Sequence, residues 1–265
     1  MTTRADQSER GTLTVRDLTL SYGKRRVLDG LTLPDLAPGE MTVLLGPNAT
    51  GKSTTLKALA GLHKAGGEMH LGGLDLNRMS AAVRARLIGF MPQTLPAVEG
   101  MSVLESVIAA AGASWATSSQ EPAEKAVKVL GRLGILDLAL LSLARLSGGQ
   151  RQLVSLAQTM VRDPHLLLLD EPASALDPAR AFGMMKALRS LADEGRVLLV
   201  VLHDLALAAQ WADRLIVMHQ GSLYAAGAPQ EVLTPQLLAE VYGVVARVER
   251  CSRGKLTIQI DDLTL

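Results

Sequence analysis

Residues 46–53 read Gly-Pro-Asn-Ala-Thr-Gly-Lys-Ser, and this segment constrains the chain more than any other. It matches the spacing G-x-x-x-x-G-K-[ST], in which backbone N–H groups surround nucleotide phosphates. Thr42-Val43-Leu44-Leu45 before it predict a short buried strand, and residues 54–59 after it can open a helix. A helix N-terminus adds its positive end to an anion site. The strand–loop–helix pattern therefore predicts that the chain binds a nucleoside triphosphate.

The positions of this loop have separate predicted roles. Lys52 would reach the β- and γ-phosphates of the nucleotide, and the Ser53 hydroxyl would hold Mg²⁺. The other predicted ATP contacts of the segment are Gly46, Pro47, Asn48, Ala49, Thr50, Gly51 and Thr54.

Composition narrows the class of protein. The 265 residues allow one large domain or two small ones, and 48% hydrophobic residues can bury a substantial core. A formal charge of +1 provides no field that favours nucleic acid or anionic lipid. Cys251 is the single cysteine, which excludes an intrachain disulfide and fits a passive thiol in a reducing compartment. The first twelve residues lack a secretory pattern, and the apolar runs are far shorter than the ~20 residues of a membrane span. We expect a soluble protein whose membrane role, if any, depends on a partner.

The order of apolar runs predicts an α/β core. Residues 13–22 and 31–33 alternate like half-buried strands, and near-continuous apolar runs at 166–169, 197–202 and 215–218 predict a parallel sheet covered on both faces. Residues 255–260 alternate like a terminal strand.

The middle of the chain has helical periodicity. Ser102 and Glu105 form a capping-box pattern, and no strand candidate lies between roughly Gln93 and Asp163. A polar break at 113–122 predicts an exposed loop, and Thr234 before Pro235 predicts a further helix start. The pattern predicts a helical subdomain inserted into the α/β core.

Two acidic residues follow the buried run 166–169. Ligands of open parallel sheets bind at the carboxyl ends of the strands, where residues 46–53 also lie. Asp170 is therefore placed to hold Mg²⁺, and Glu171 to polarise a water for attack on the γ-phosphate. Without the phosphate loop, a solvated turn would be a reasonable alternative.

A second glycine-rich segment has two possible interpretations. Ser147 is a good helix cap, and Gly148 and Gly149 before Gln150 permit close backbone approach. The segment is either another helix N-terminus that binds an anion or an ordinary glycine-rich turn, and the residues alone leave both open.

Leu146-Ser147-Gly148-Gly149-Gln150, between the phosphate loop and Asp170-Glu171-Pro172, resembles the signature of ABC-type ATPases. The resemblance extends from about Leu13 to Val248. Tyr22 resembles the aromatic residue that stacks on adenine, and Gln93 resembles the Q-loop glutamine that senses Mg²⁺ and the attacking water. Residues 174–177, ending in Asp177, resemble the D-loop, and His203 resembles the switch histidine at the γ-phosphate.

The resemblance implies a fold and its boundaries. The expected fold is α/β, a P-loop NTPase core of the ABC ATPase type with a parallel sheet, N-terminal antiparallel strands and the helical insertion. A single domain would span 12–250, with its core at about 12–92 and 163–250 and the helical subdomain at about 93–162. Residues 1–11 would be a polar tail and 251–265 a C-terminal extension.

The resemblance also implies the chemistry. Two chains would pair head to tail, so that the signature segment of each contacts ATP held by the other's phosphate loop. The implied catalytic residues are Glu171, His203 and Gln93; the implied metal ligands are Ser53, Gln93 and Asp170; and the implied ATP contacts add Tyr22, Ser147, Gly148, Gly149, Gln150 and Asp177. ATP and Mg²⁺ are the expected cofactors.

Two features differ from the family pattern. Ala49 occupies a loop position where the family usually has glycine, and a positive φ there would cost alanine roughly 1 kcal/mol. Residues 63–73 look shortened, which leaves the strands there undefined.

The C-terminal third, residues 201–235, resembles ATPase subunits of metal-chelate importers. The implied cargo is ferric siderophore, with haem or cobalamin close behind. The implied partners are a second copy, integral membrane permease subunits and, through them, a periplasmic or lipoprotein substrate-binding protein. The protein would act at the cytoplasmic face of the inner membrane, with no nucleic-acid partner. Alternatives are a soluble ABC ATPase acting on nucleic acid or ribosomes, and the ATPase of an exporter.

A permease groove is expected near residues 93–111. Leu95, Pro96, Val98 and Met101 are its candidate apolar contacts, and local core packing is an equal alternative for them.

Overall fold

The computed structural model describes residues 11–94, 100–112 and 121–264. Predictions for residues 1–10, for Leu95, Pro96 and Val98, and for most of the loop at 113–122 lie outside the described residues. Within the described part of the chain, no helix combines the length and the apolar character needed to cross a membrane.

An antiparallel sheet forms the N-terminal layer. Its strands are β1 (Leu13–Tyr22), β2 (Arg25–Leu36), β4 (Gly66–Leu71) and β5 (Leu74–Asp75), in the order β2-β1-β4-β5. Alternate residues of β1 are buried and face the core, as the period-two pattern of this segment predicts. β4 lies within residues 63–73, where strands could not be assigned from the sequence, and β5 follows directly after that segment.

A six-stranded sheet crosses the centre of the protein in the order β10-β9-β3-β8-β7-β6. Its strands are β3 (Met41–Leu45), β6 (Ile88–Met91), β7 (Leu166–Asp170), β8 (Val197–Val201), β9 (Arg214–His219) and β10 (Ser222–Gly227). The five strands from β9 to β6 are parallel, and β10 is antiparallel to β9. Every residue of β3, β7 and β8 is buried, as expected for parallel strands covered on both faces.

The helices cover both faces of this sheet and form a separate cluster. They are α1 (Lys52–Leu59), α2 (Ala81–Leu87), α3 (Val103–Ala110), α4 (Glu121–Arg132), α5 (Gly148–Met160), α6 (Pro178–Asp193), α7 (Leu205–Trp211), α8 (Pro229–Val232) and α9 (Pro235–Tyr242). Val43 and Leu167 point into a core shared with α6 and α9. Leu44 and Leu168 point into the opposite core, shared with α1 and the N-terminal sheet.

A third core holds the helical subdomain together. Apolar residues of α3, α4 and α5 pack on one another there, for example Val107, Leu130 and Val154. Helix α3 begins at the predicted capping box, in which Ser102 Oγ accepts from the Glu105 N–H and the Glu105 carboxylate accepts from the Ser102 N–H. The described residues between 93 and 163 contain helices and turns but no strand longer than an isolated bridge.

The chain ends in a hairpin that the sequence analysis only partly predicted. β12 (Leu256–Leu263) includes the predicted terminal strand, and it pairs with β11 (Val244–Arg250), which was not predicted. Because both strands belong to one hairpin, the expected boundary at residue 250 falls inside a single structural unit. The predicted α/β architecture, with N-terminal antiparallel strands and a helical insertion, is confirmed.

Candidate active site

The phosphate loop occupies the six residues between β3 and α1. Gly46 has φ 141°, and a Cβ there would lie 2.2 Å from the carbonyl oxygen of Met218. Gly51 caps α1 with φ 99°, and its Cβ would lie 2.7 Å from a methyl group of Leu28. Only glycine fits these two positions, because both combine a left-handed backbone with close neighbours. Helix α1 begins at Lys52, two residues earlier than predicted, so its first backbone N–H groups belong to the loop.

Lys52 lies at the centre of this loop. Its side chain is 6% exposed, and Nζ donates to the carbonyl oxygens of Gly46 at 2.7 Å and Pro47 at 2.8 Å. Burial lowers the pKa of the Lys52 ammonium, and the nearby carboxylates of Glu171 and Asp170 oppose that shift. The loop thus surrounds one buried ammonium group, whose positive charge can balance the negative charge of a phosphate group.

The rest of the loop exposes its backbone. The Thr50 hydroxyl donates to the Pro47 carbonyl oxygen at 3.0 Å, which braces the turn, while Asn48 and Ala49 are exposed. Thr54 lies in the first turn of α1 and is half-buried.

Ala49 adopts the left-handed conformation, with φ 64°. We expect Ala49→Gly to raise the free energy of unfolding by about 0.5 kcal/mol, because the relief of left-handed strain exceeds the extra chain entropy of glycine. The same change at Ala187, in the middle of α6, should instead lower the free energy of unfolding by about 1 kcal/mol. Urea unfolding of the two variants measures both signs. A loss of stability in Ala49→Gly would contradict the strain argument.

Ser53 and Asp170 bring two oxygen ligands together at the end of β7. The Ser53 hydroxyl donates to Asp170 Oδ1 at 3.0 Å. Among the described residues, no group of three or more His, Cys, Asp and Glu side chains could hold a metal ion. A hydroxyl and a carboxylate beside a phosphate loop nevertheless fit Mg²⁺, which takes few protein ligands and completes its shell with phosphate oxygens and water.

Burial governs the charge of Asp170, which is 3% exposed. Burial raises the pKa of the Asp170 carboxyl above its usual range, the hydrogen bond from Ser53 opposes the shift, and the Glu171 carboxylate reinforces it. When the pKa of a carboxyl is higher in the folded state than in the unfolded state, the free energy of unfolding decreases as the pH rises through the folded-state pKa. As the pH rises from the ordinary Asp range towards neutrality, Asp170 therefore lowers the stability of the nucleotide-free protein.

Replacing Asp170 with Asn should stabilise the nucleotide-free protein. We expect the midpoint of thermal unfolding at pH 7 to rise by about 3 °C, and the gain to shrink as the pH falls towards the ordinary Asp range. Scanning calorimetry at several pH values, without nucleotide or Mg²⁺, measures both effects. Asp261→Asn is the control, since Arg247 lowers the pKa of the Asp261 carboxyl and its loss should give no stabilisation. Equal midpoints for both variants would contradict the expectation.

Two side chains from separate segments meet at Glu171, which follows β7 with φ 54°. Gln93 Nε2 donates to Glu171 Oε2 at 2.8 Å, and His203 Nε2 lies 2.5 Å from Glu171 Oε1. An ionised carboxylate can only accept, so Nε2 of His203 carries the proton in this contact. Glu171 thus has one oxygen oriented by an amide and the other by an imidazole. This arrangement can orient a water molecule for attack and receive its proton.

The second glycine-rich segment caps helix α5. Ser147 Oγ accepts from the Gln150 N–H at 3.3 Å, and the Ser147 N–H donates to Gln150 Oε1 at 2.9 Å. A Cβ on Gly149 would lie 3.0 Å from a methyl group of Leu176, whereas one on Gly148 would lie at an ordinary contact distance from Ala175. The segment therefore packs on the predicted D-loop. No hydrogen bond in the described residues joins it to the phosphate loop of the same chain.

Asp177 and Tyr22 occupy the margins of the site. The Asp177 carboxylate caps α6 by accepting from the Arg180 N–H at 3.0 Å. Tyr22 is 46% exposed at the end of β1, and its ring meets the edge of the His63 ring at a centroid distance of 5.4 Å. An exposed ring at this place can stack on a base, although the structure gives it a packing partner as well.

Gln152 was not predicted from the sequence. Its buried side chain on α5 donates to the main-chain carbonyl of Gln93 at 3.1 Å. The available signal was its position four residues before the buried Leu156, on the same face of the helix, which alone does not distinguish a functional glutamine from a structural one.

Comparison with known proteins agrees with this geometry. The ABC transporter family matches residues 28–174. The hemin import ATP-binding protein HmuV of Plesiomonas shigelloides is 35% identical over 258 residues, covering 89% of this chain and 96% of the relative. The achromobactin transport ATP-binding protein CbrD of Dickeya dadantii is 37% identical over 241 residues, covering 89% of each protein.

Solved structures share the fold over nearly the whole chain. A chain from a structure described as a metal-chelate type ABC transporter, in an inward-facing conformation, is 25% identical with a TM-score of 0.79, covering 95% of this chain and 97% of that one. A dimeric bacterial ABC transporter cassette is 26% identical with a TM-score of 0.74, covering 82% of this chain and 98% of that one. With the phosphate loop, the signature helix cap and the Glu171 cluster in one fold, this chain belongs to the ABC transporter family as an ATP-binding and ATP-hydrolysing cassette.

Proposed function

We propose that this chain drives import of a metal chelate by hydrolysing ATP in a head-to-tail homodimer. The observation that carries the proposal is the Glu171 cluster, in which Gln93 and His203 hold a carboxylate next to Lys52 and Asp170. Hemin import and achromobactin transport are the functions in the names of the two relatives. The cargo we propose is a ferric siderophore, with haem as the alternative that the hemin relatives favour.

Each residue of the site has a defined part in the proposed hydrolysis. Lys52 exchanges its bonds to the Gly46 and Pro47 carbonyls for phosphate oxygens, so its buried charge is compensated by the nucleotide. Ser53 and Asp170 would hold Mg²⁺, which supplies positive charge to the phosphates. Glu171 orients the attacking water and accepts its proton, while Gln93 and His203 fix the two carboxylate oxygens.

The separation of the two ATP-contacting segments supports the proposed homodimer. Ser147 and Gly149 sit on the cap of α5, against the D-loop rather than the phosphate loop. One copy of each segment per chain means that a second chain must supply the signature segment to each nucleotide. The similar cassette of known structure that is dimeric supports this arrangement.

The permease contact is proposed at the junction of the sheet and the helical subdomain. A groove of about 310 Å³ lies there, lined by residues of α2, β6 and α5 that include Ile88, Phe90 and Thr159. Met101 instead packs against the core of the helical subdomain, which favours the local-packing interpretation for this residue. Through such a contact the chain would act at the cytoplasmic face of the inner membrane, with a substrate-binding protein joined through the permease.

The test starts from capture of the transporter. A tagged Glu171→Gln chain is expressed in its native host, supplied with ATP and recovered from detergent-solubilised membranes. We expect a many-span permease to copurify. Recovery of ribosomes or DNA without a membrane protein would overturn the transport proposal and leave the ATPase assignment intact.

The same permease then identifies the cargo. Proteoliposomes containing it with the unmodified chain are given a substrate-binding protein and, in separate samples, ferric siderophore, haemin or cyanocobalamin. ATP-dependent uptake of the siderophore is the expected result, and proteoliposomes containing Glu171→Gln are the control. Uptake of haemin without uptake of the siderophore would show that haem is the cargo. ATP-dependent transport in the direction opposite to uptake would show that the transporter is an exporter.

A further inference from the structure

Gln152 is a buried polar side chain to which the proposed hydrolysis assigns no part. It lies on α5, five residues after Ser147, and is 8% exposed. Its Nε2 donates to the main-chain carbonyl oxygen of Gln93 at 3.1 Å. A buried amide with a partner 59 positions away in the chain is a specific tertiary link, because an unpaired amide would be unfavourable there.

Gln93 forms hydrogen bonds through both its main chain and its side chain. Its carbonyl oxygen holds Gln152, and its side-chain Nε2 donates to Glu171 Oε2 at 2.8 Å. Two hydrogen bonds in series therefore connect helix α5 to the carboxylate that orients water. Gln93 itself is exposed and lies beyond the end of β6, outside any helix or strand. A residue in such a place has conformational freedom, so a tether on its main chain reduces the entropy lost when its side chain is aligned.

The N-terminal end of α5 indicates what the link between Gln152 and Gln93 does. Ser147 and Gly149, at the N-terminus of α5, are the segment proposed to contact ATP held by the partner chain. Because an α-helix moves nearly as a rigid body, a shift of its N-terminus reaches Gln152 within one and a half turns. Nucleotide in one site can thereby affect Gln93 of the other site.

We propose that Gln152 is a positioning residue that couples the two ATP sites of the dimer. ATP bound by the partner fixes the signature helix, Gln152 transmits the position of that helix to the Gln93 main chain, and Gln93 aligns on Glu171. This inference rests on the proposed head-to-tail dimer. It predicts that hydrolysis at each site depends on occupation of the other.

The test uses Gln152→Met, which keeps the length of the side chain and removes its donor. We expect kcat for ATP hydrolysis to fall about fivefold, the loss typical of one neutral hydrogen bond. KM for ATP should stay within about twofold, because the nucleotide contacts are intact. The Hill coefficient for ATP should fall towards one. Gln259→Met makes the same change at an exposed position of β12 and should leave all three parameters unchanged.

The Gln93→Ala variant provides a second test, which distinguishes coupling through Gln93 from a loss of packing at Gln152. In Gln93→Ala the main-chain carbonyl remains but the link to Glu171 is cut, so adding Gln152→Met should lower kcat no further. Multiplicative losses in the double variant, or an unchanged Hill coefficient in Gln152→Met, would overturn the inference.

Sedimentation of Glu171→Gln with ATP distinguishes failure of the proposed dimer from failure of the proposed coupling role of Gln152. A monomer under these conditions would refute the dimer on which the proposed function depends. A dimer combined with normal cooperativity in Gln152→Met would refute the coupling role alone.

Discussion

Replacement of Glu171 with Gln should lower the rate of ATP hydrolysis by about 100- to 10,000-fold, the range associated with loss of a general base. ATP should remain bound, since Glu171 contacts Gln93 and His203 rather than the phosphate loop. The amide keeps the shape of the carboxylate and can still accept from Gln93, but it cannot take a proton from water. Steady-state phosphate release and retention of radiolabelled ATP on the purified variant measure the two effects.

Glu68→Gln provides the matched control for this change. Glu68 is an exposed acid on β4, so its variant should hydrolyse ATP at the unmodified rate. Turnover by Glu171→Gln within tenfold of that control would show that another group activates the water. Loss of ATP retention in Glu171→Gln would show that the carboxylate also supports nucleotide binding.

Replacement of Lys52 with Met should weaken ATP binding by about 10- to 100-fold, because hydrogen bonds to a charged group are worth more than neutral ones. The ammonium is the buried cation of the loop and the donor to two of its carbonyl oxygens. The methionine side chain fills nearly the same volume without the charge. Equilibrium binding of a fluorescent ATP analogue measures the change in Kd, and circular dichroism confirms that the variant is folded.

Lys64→Met is the control for the loss of a positive charge, since Lys64 is exposed beyond the end of α1. Its Kd for ATP should match that of the unmodified chain. A Kd for Lys52→Met within threefold of this control would mean that backbone N–H groups alone hold the phosphates.

Local sequence patterns predicted much of the site. The phosphate loop, the acidic end of β7 and the cap at Ser147 are all contiguous segments, so spacing and turn chemistry were sufficient to locate them. The family pattern drew attention to Ala49, because glycine is usual there, and the backbone at this position is left-handed with φ 64°. In each of these segments, the residues that determine the local structure lie within a few positions of one another in the sequence.

Contacts between distant segments were harder to predict. β6 is only four residues long and contains Gly89, and its place in the sheet depends on pairing with β7 far along the chain. β11 mixes charged and apolar residues, so its pairing with β12 could not be recognised from one strand alone. The bond from Gln152 to Gln93 also spans a long sequence distance. Helical periodicity marked α5 but gave no information about the partner of one amide.

The order of strands in the central sheet has a consequence for biosynthesis. β3, which carries the phosphate loop, lies between β8 and β9, and both of these strands are synthesised much later. About 150 residues must follow β3 before either neighbour exists, which takes roughly 8 to 30 seconds at ribosomal rates of 5–20 residues per second. During that interval the strand Met41–Leu45, in which four of five residues are apolar, has no sheet partner in the nascent chain. The strand that bears the nucleotide site therefore needs protection, by a chaperone or by other parts of the nascent chain, until its two neighbours have been synthesised.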